Sequence, residues 1–136
     1  MLRQDFYSYS FSQMKDASKF FSGGMTAYTL EEKVNLLKVD ENEASQCDCV
    51  SSNIAETMAL HVAKIYNTDW SIAITGYATP VEESQGELFA YYSISQHGKI
   101  LVSEKIAVLK ETHSIDAQVY YCEEILKRFR LKLKDK

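Results

Sequence analysis

Four stretches of the chain have the hydrophobic pattern of β-strands. Residues 6–12 (FYSYSFS) alternate between aromatic and serine side chains, the period-two pattern of a strand with one buried face. Residues 70–75 are mostly apolar, which is typical of a buried strand. Residues 88–94 and 100–109 follow, and the short Gln96-His97-Gly98 turn between them indicates an antiparallel hairpin. The pattern therefore predicts four strands, the last two of them paired.

Three other stretches repeat apolar residues with the 3.6-residue period of a helix. Their apolar positions are, in order, Leu30, Val34 and Leu37; Ile54, Met58, Val62 and Ile65; and Ile115, Val119, Cys122, Leu126, Phe129 and Leu133. Thr29, followed three residues later by Glu32, has the form of a capping box and predicts that the first helix begins at Leu30. The cluster Ser51-Ser52-Asn53 caps the second helix. Strands and helices alternate along the chain, so we expect an α/β sandwich.

Composition indicates a single domain over residues 1–136. With 46% hydrophobic residues, a chain of 136 residues buries about two thirds of its unfolded surface, which is enough for one core. One proline and five glycines argue against a long linker. No apolar run approaches the roughly 18 residues of a membrane span, and the first ten residues contain no hydrophobic signal core. We therefore expect a cytoplasmic protein that does not bind membranes.

Net charge and cysteine content argue against nucleic-acid binding and a zinc site. The net charge of −4 makes nucleic-acid binding an unfavoured function, and the basic residues of the last helix suit a solvated helix end. Cys47 and Cys49 lack the second pair or nearby histidine that a zinc site needs, and Cys122 is far away in sequence. We expect three free thiols, no metal and no cofactor.

Tyr28 and Lys33 form the first candidate for chemistry. With Thr29 as the N-cap, they occupy the two positions that usually hold apolar residues packed against each other across a helix start. Two interpretations remain open at this point. The lysine stem packs on the tyrosine ring and carries its ammonium to water, or the phenol and the ammonium act together in a reaction.

The segment that contains this pair, residues 23–39 (GGMTAYTLEEKVNLLKV), resembles the C-terminal domain of the CinA family of competence- and damage-inducible proteins. The family sequence there is close to GGxxAYSNExKxxLLGV, and Leu30 and Lys38 are departures from it. Cys49-Val50-Ser51 is similar to the family's A-V-S, and residues 75–80 (TGYATP) are similar to its T-G-I-A-G-P. The resemblance covers roughly residues 12–130, and its three motifs occur in the family's order.

The resemblance implies a fold, an activity and a site. It implies a three-layer α/β/α sandwich with a mixed sheet of about five strands, and hydrolysis of the carboxamide of nicotinamide mononucleotide or a related small amide. Ligands in such sheets bind at the carboxyl ends of strands, so Thr75 and Gly76 are candidate substrate-binding residues, Gly76 because it would let the backbone turn. Ser18, which matches a serine before the family's F-x-G-G, is a third.

The family's catalytic serine lies in a T-A-E-S-C-T-G-G motif that this chain lacks. An ungapped alignment places the nucleophile at Met1, so that the strand before it is missing. Alternatively, residues 6–12 are the first strand, the following helix is shortened, and Ser12 is the nucleophile, with Tyr28 and Lys33 as its catalytic partners. We prefer the second alignment, because a sheet without an interior strand leaves two rows of backbone groups unpaired.

Two departures argue against an active amidase. Ser12 is followed by Gln-Met-Lys-Asp in place of the glycines that would form an oxyanion hole. Glu82 and Glu83 replace a glycine-rich loop, and the family's arginines are absent from residues 109–116, so a nucleotide phosphate would meet few cations. We expect a degenerate CinA-like protein with a binding or assembly role; the alternative is an active amidohydrolase that uses Ser12, Tyr28 and Lys33.

Aromatic residues make up 12% of the chain, more than a small core needs. They include the pairs Phe20-Phe21, Tyr91-Tyr92 and Tyr120-Tyr121. Because aromatic side chains are enriched at protein interfaces, we expect a homodimer.

Overall fold

The computed structural model of the protein describes residues 10–134. Its four helices are α1 (Leu30–Leu37), α2 (Glu41–Gln46), α3 (Ser52–Tyr66) and α4 (Ser114–Lys134), and its three strands are β1 (Trp70–Gly76), β2 (Leu88–Gln96) and β3 (Lys99–Val108). Two short 3₁₀ turns occupy Ala17–Lys19 and Glu82–Ser84. Three predicted helices and three predicted strands are therefore present, whereas α2 was not predicted.

The three strands form one antiparallel sheet in the order β1-β2-β3. His97 and Gly98 connect β2 to β3 with φ angles of 50° and 76°, the left-handed conformation that a two-residue hairpin turn requires. This confirms the predicted hairpin. The prediction of a mixed sheet of about five strands is wrong for the described residues, which contain three strands, all antiparallel.

The strand predicted for residues 6–12 is also wrong where it can be compared. Residues 10–12 are helical, and residues 6–9 lie outside the described part of the chain. Phe11 buries its ring in this helical conformation by stacking on Phe21, with the ring centroids 5.4 Å apart, and by meeting the edge of Phe129 at 5.9 Å. A short alternating run does not by itself require a strand, because tertiary packing outweighs so weak a local preference.

Helices cover both faces of the sheet. On one face, α4 packs against the even-numbered residues of β1, β2 and β3; this core contains Ile74, Ala78, Ala90, Tyr92, Ile94, Val102, Ala117, Tyr121 and Ile125. On the other face, α3 lies between the sheet and the segment of α1 and α2; that core contains Ala27, Leu37, Val39, Ala44, Cys49, Ile54, Met58, Ala59 and Ala73. The result is an α/β/α arrangement around a small sheet.

Small side chains let α3 approach the sheet closely. Ala55 and Ala59 of α3 have no exposed surface, and Ser93 and Ser95 of β2 have none either. Ser71 of β1 donates a hydrogen bond to the carbonyl oxygen of Ala59 at 2.6 Å, so its buried hydroxyl is satisfied. The serines on this face thus contribute to helix packing.

The buried face of α4 is rotated from the predicted one. The side chains that pack on the sheet are those of Ala117, Gln118, Tyr121, Cys122 and Ile125. Ile115 and Leu133, both expected to be buried, are 58% and 45% exposed. The apolar stripe therefore lies only partly on the buried side of the helix, through Cys122 and Phe129, and the small or polar Ala117 and Gln118 face the core.

Tyr121 provides a prediction about alkaline stability. Its hydroxyl is fully buried and donates to the carbonyl oxygen of Tyr77 at 2.9 Å, and burial raises the pKa of Tyr121 from 10.0 to about 12. Because the unfolded chain loses this proton first, the contribution of Tyr121 to stability is constant below pH 10 and falls between pH 10 and 12, by about 2–3 kcal/mol in total. Urea unfolding at pH 8 to 11 should show a smaller alkaline loss of stability in Tyr121→Phe than in the wild type. Equal losses in both proteins would contradict this assignment.

Candidate functional site

Lys33 is the most unusual side chain near the start of α1. The helix begins where Thr29 accepts a hydrogen bond from the backbone N–H of Glu32 at 3.1 Å, which confirms the predicted capping box. Lys33 lies one turn later and is only 1% exposed. Its Nζ donates to the carbonyl oxygen of Tyr28 at 3.4 Å. Burial of the ammonium lowers the pKa of Lys33, and the nearby Cys49 and Asp48 oppose that shift.

The loop between α2 and α3 supplies the other polar groups. Asp48 and Cys49 both adopt the left-handed conformation, with φ of 53° and 62°. The tight turn is held by backbone bonds from Cys49 to Ala44 at 2.9 Å and from Val50 to Cys47, also at 2.9 Å. It presents the Asp48 carboxylate and the Cys49 thiol next to Lys33. Burial raises the pKa of the Cys49 thiol, and the charge of Lys33 partly offsets this.

Two residues at the end of β1 connect this loop to the sheet. Thr75 is buried, and its hydroxyl donates to the carbonyl oxygen of Cys49 at 2.6 Å. The Tyr77 hydroxyl donates to the carboxylate of Asp48 at 3.0 Å. Burial and this hydrogen bond raise the pKa of Tyr77, so the phenol stays protonated at neutral pH. Thr75 therefore holds the loop, and Tyr77 holds the Asp48 carboxylate, whose charge raises the pKa of Lys33 against the effect of burial.

Gly76 has a different role from the one expected. It is the last residue of β1 and pairs with Ala90 of β2, so the backbone does not turn there. A Cβ atom at this position would meet the Cβ of Ala90 and would lie 2.6 Å from the carbonyl oxygen of Phe89. The glycine is required by the close approach of the two strands.

The three residues proposed as catalytic have different surroundings in the structure. Ser12 is exposed in the helical segment at residues 10–12, and its hydroxyl accepts from Gln13 at 3.5 Å. The Tyr28 side chain is 60% exposed, so its carbonyl, and not its phenol, is the group near the Lys33 ammonium. Ser18 is also exposed, in the turn Ala17–Lys19.

Asp48 and Tyr77 are the site residues that sequence analysis missed. Tyr77 lies inside the TGYATP segment. A large aromatic side chain in a segment that resembles a turn was the signal that could have identified it. Asp48 had no local signal, since its importance comes from contact with residues distant in sequence. The cluster combines the buried ammonium of Lys33 with the hydrogen-bonded carboxylate of Asp48. No group of three or more potential metal ligands occurs in the described part of the chain.

The chain also matches a known protein family. A family model described as the CinA C-terminal domain matches residues 6–121. The chain belongs to the CinA C-terminal domain family. A CinA-like protein from Microcystis aeruginosa is 38% identical over 96 residues, which cover 68% of this chain and 23% of that protein. A CinA-like protein from Prochlorococcus marinus is 29% identical over 126 residues, or 91% of this chain and 30% of that protein. The chain thus spans less than a third of these CinA-like relatives.

Solved structures show the same CinA fold. A CinA superfamily protein from Enterobacter cloacae is similar with a TM-score of 0.83 and 20% identity, over 96% of this chain and 76% of that one. A CinA superfamily protein from Escherichia coli has a TM-score of 0.75 and 20% identity, over 88% and 69% of the two chains. At this level of identity the likeness establishes the fold alone. No helix among residues 10–134 is long and apolar enough to cross a membrane.

Proposed function

We propose that this CinA-type domain does not hydrolyse nicotinamide mononucleotide and acts in the cytoplasm through binding and self-assembly. The observation that carries the proposal is the contrast between the surroundings of Ser12 and those of Lys33. Ser12 is exposed in a helical segment, whereas the Lys33 ammonium is buried and is directed to the Tyr28 carbonyl and the loop of Asp48 and Cys49. A serine hydroxyl attacks an amide effectively only when a base is within hydrogen-bond reach.

The surroundings of Ser12 support the same proposal. Residues 13–16 follow it without a glycine, and Asp16 is the residue that takes the left-handed conformation there, with φ of 58°. Ser12 is the last residue of the helical segment at residues 10–12, and the next element is the three-residue turn Ala17–Lys19, so no long helix begins directly after Ser12 to supply aligned backbone N–H groups. Loss of one oxyanion donor costs roughly a hundredfold to a thousandfold in rate.

One observation favours the second candidate, an active amidohydrolase that uses Ser12, Tyr28 and Lys33. Burial lowers the pKa of Lys33, which increases the fraction of neutral amine, and a neutral amine can accept a proton from a nucleophile. This candidate requires Ser12 and the Tyr28 phenol to lie within hydrogen-bond reach of the Lys33 amine when substrate is bound.

Ammonia release from nicotinamide mononucleotide distinguishes the two candidates. We expect the purified wild-type protein to release ammonia no faster than Ser12→Ala or Lys33→Met. Methionine is chosen because it fills the space of the buried lysine stem without its charge, and circular dichroism checks that each variant is folded. A CinA relative that contains the T-A-E-S-C-T-G-G motif serves as the positive control.

A wild-type rate well above background that disappears in both variants would overturn the proposal and establish the amidase. Calorimetric titration with the same nucleotide tests the binding part. Heat of binding without turnover supports a binding role, and no heat of binding restricts the role to assembly.

A further inference from the structure

A groove lies between α4 and β3. It has a volume of about 420 Å³ and is lined by residues of both elements, including Glu104 and Ile106 of β3. Four residues of α4 with the spacing i, i+4, i+7 and i+11 lie along it, and we call them the α4 stripe: Tyr120, Glu124, Lys127 and Leu131. Residues with this spacing share one face of a helix.

The α4 stripe is exposed although both of its ends are apolar. Tyr120 and Leu131 are 43% and 54% exposed, and the side chains of Glu124 and Lys127 between them are 37% and 73% exposed. Tyr121 and Tyr92, from the aromatic pairs noted in the sequence, are buried in the core, so Tyr120 is one of the aromatic residues left at the surface. Exposed apolar side chains on both sides of two charged residues form a surface that a binding partner can bury.

The strand beside the groove is an outer strand of the described sheet. β3 is ten residues long, and among residues 10–134 it pairs only with β2. Within that part of the chain, its outer edge presents unpaired backbone N–H and C=O groups next to the α4 stripe. Glu104 is held in place by hydrogen bonds from the Tyr92 hydroxyl at 3.1 Å and from Arg128, whose Nε lies 3.2 Å from the same carboxylate oxygen. These contacts join β3 to α4, so this side of the groove is formed within a single chain.

The order of residues in the α4 stripe is self-complementary. If a second α4 runs antiparallel to the first about a two-fold axis between positions 125 and 126, Tyr120 faces Leu131 of the other copy and Glu124 faces its Lys127. A two-fold interface uses one patch twice, so apolar groups meet apolar groups and opposite charges meet. In the single chain, Glu124 and Lys127 form an exposed pair at 3.5 Å, which contributes little to stability and leaves both groups available.

From this complementarity we propose that two copies of the chain dimerise through the α4 stripe, with the β3 edges side by side. A two-fold axis perpendicular to the sheet makes both the strands and the helices antiparallel, so one symmetry operation satisfies both contacts. The occupant of the groove is a second copy, because the charge order of the stripe matches its own reverse. This develops the assembly role proposed above, but it is tested without any substrate and so fails or succeeds independently of the amidase question.

Sedimentation equilibrium with charge variants tests the interface. We expect a wild-type dimer and at least a tenfold weaker association in Glu124→Lys and in Lys127→Glu, since each variant places like charges across the axis. The double variant Glu124→Lys, Lys127→Glu restores opposite charges and should restore the dimer. Glu123→Lys is the matched control, because it makes the same change of charge on the neighbouring residue, about 100° around the helix.

Crosslinking tests the antiparallel arrangement. In a Cys47→Ser background, a mixture of Tyr120→Cys and Leu131→Cys proteins treated with a short bismaleimide should yield crosslinked dimers, and far fewer should form with either protein alone. A wild-type protein that stays monomeric, or a dimer that Glu124→Lys leaves intact, would overturn the proposal.

Discussion

Replacing Ile125 by alanine is expected to lower the free energy of unfolding by about 2–5 kcal/mol. Ile125 has no exposed surface and lies in the middle of α4, where it packs with Tyr121 of the same helix and with Ile74 and Ile94 of the sheet. Removing its side chain leaves a cavity that the surrounding rigid strands cannot fill. Urea unfolding followed by circular dichroism measures the effect.

Ile115 on the same helix is the matched control. It is 58% exposed, and its replacement by alanine is expected to change the free energy of unfolding by no more than about 0.5 kcal/mol. The periodicity of the sequence ranks these positions the other way, since Ile115 belongs to the apolar stripe and Ile125 does not. Similar losses for the two variants would mean that the core-facing side of α4 has been assigned incorrectly.

Replacing Gly76 by alanine is expected to destabilise the protein by about 1–3 kcal/mol, with a larger loss for valine. The added Cβ would collide with Ala90 on the neighbouring strand and would lie 2.6 Å from the Phe89 carbonyl oxygen. Because these atoms belong to the paired strand and to its backbone, the contact can be relieved only by moving β2. Thermal and urea unfolding measure the loss.

A second substitution tests whether the contact with Ala90 is the cause. In Gly76→Ala, Ala90→Gly, the facing Cβ is removed, so the double variant should lose less stability than the sum of the two single losses. Additive losses would show that Gly76 is needed for some other reason, such as the turn that the sequence had suggested.

The parts of the fold that were predicted correctly depend on neighbouring residues. The start of α1 at Leu30 follows from Thr29 and the Glu32 backbone, which are three residues apart, and the hairpin follows from His97-Gly98. Ser51 likewise caps α3 by accepting from the backbone N–H of Ile54 at 3.1 Å. Such signals can be recognised in sequence because the interacting groups lie within one turn of each other.

The secondary-structure predictions failed where a short sequence pattern was compatible with more than one conformation. The aromatic and serine alternation before residue 13 suggested a strand, yet Phe11 is accommodated in a helical segment by Phe21 and Phe129. α2 was missed because its six residues are too few to show a period, although Asp40 caps it by accepting from the Glu43 backbone at 2.8 Å.

In the candidate site, too, the sequence predicted the local positions of residues but not their long-range contacts. The sequence placed Lys33 at the start of a helix and Thr75 at the end of a strand, and the structure has both there. The residues that give Lys33 its surroundings, Asp48 and Cys49, follow it by about fifteen positions, and Tyr77 reaches Asp48 across 29 positions at 3.0 Å. Contacts between residues so far apart in sequence cannot be predicted from periodicity or spacing.

The sequence alone determined the family, the α/β class and the beginnings of α1 and α3, because capping, turn chemistry and motif order are properties of adjacent residues. Only the tertiary structure decided which side of α4 is buried, why Gly76 must lack a side chain, and that the Lys33 ammonium is enclosed beside Asp48 while Ser12 stays at the surface. Those outcomes depend on how layers pack, and packing selects among local conformations that differ little in free energy.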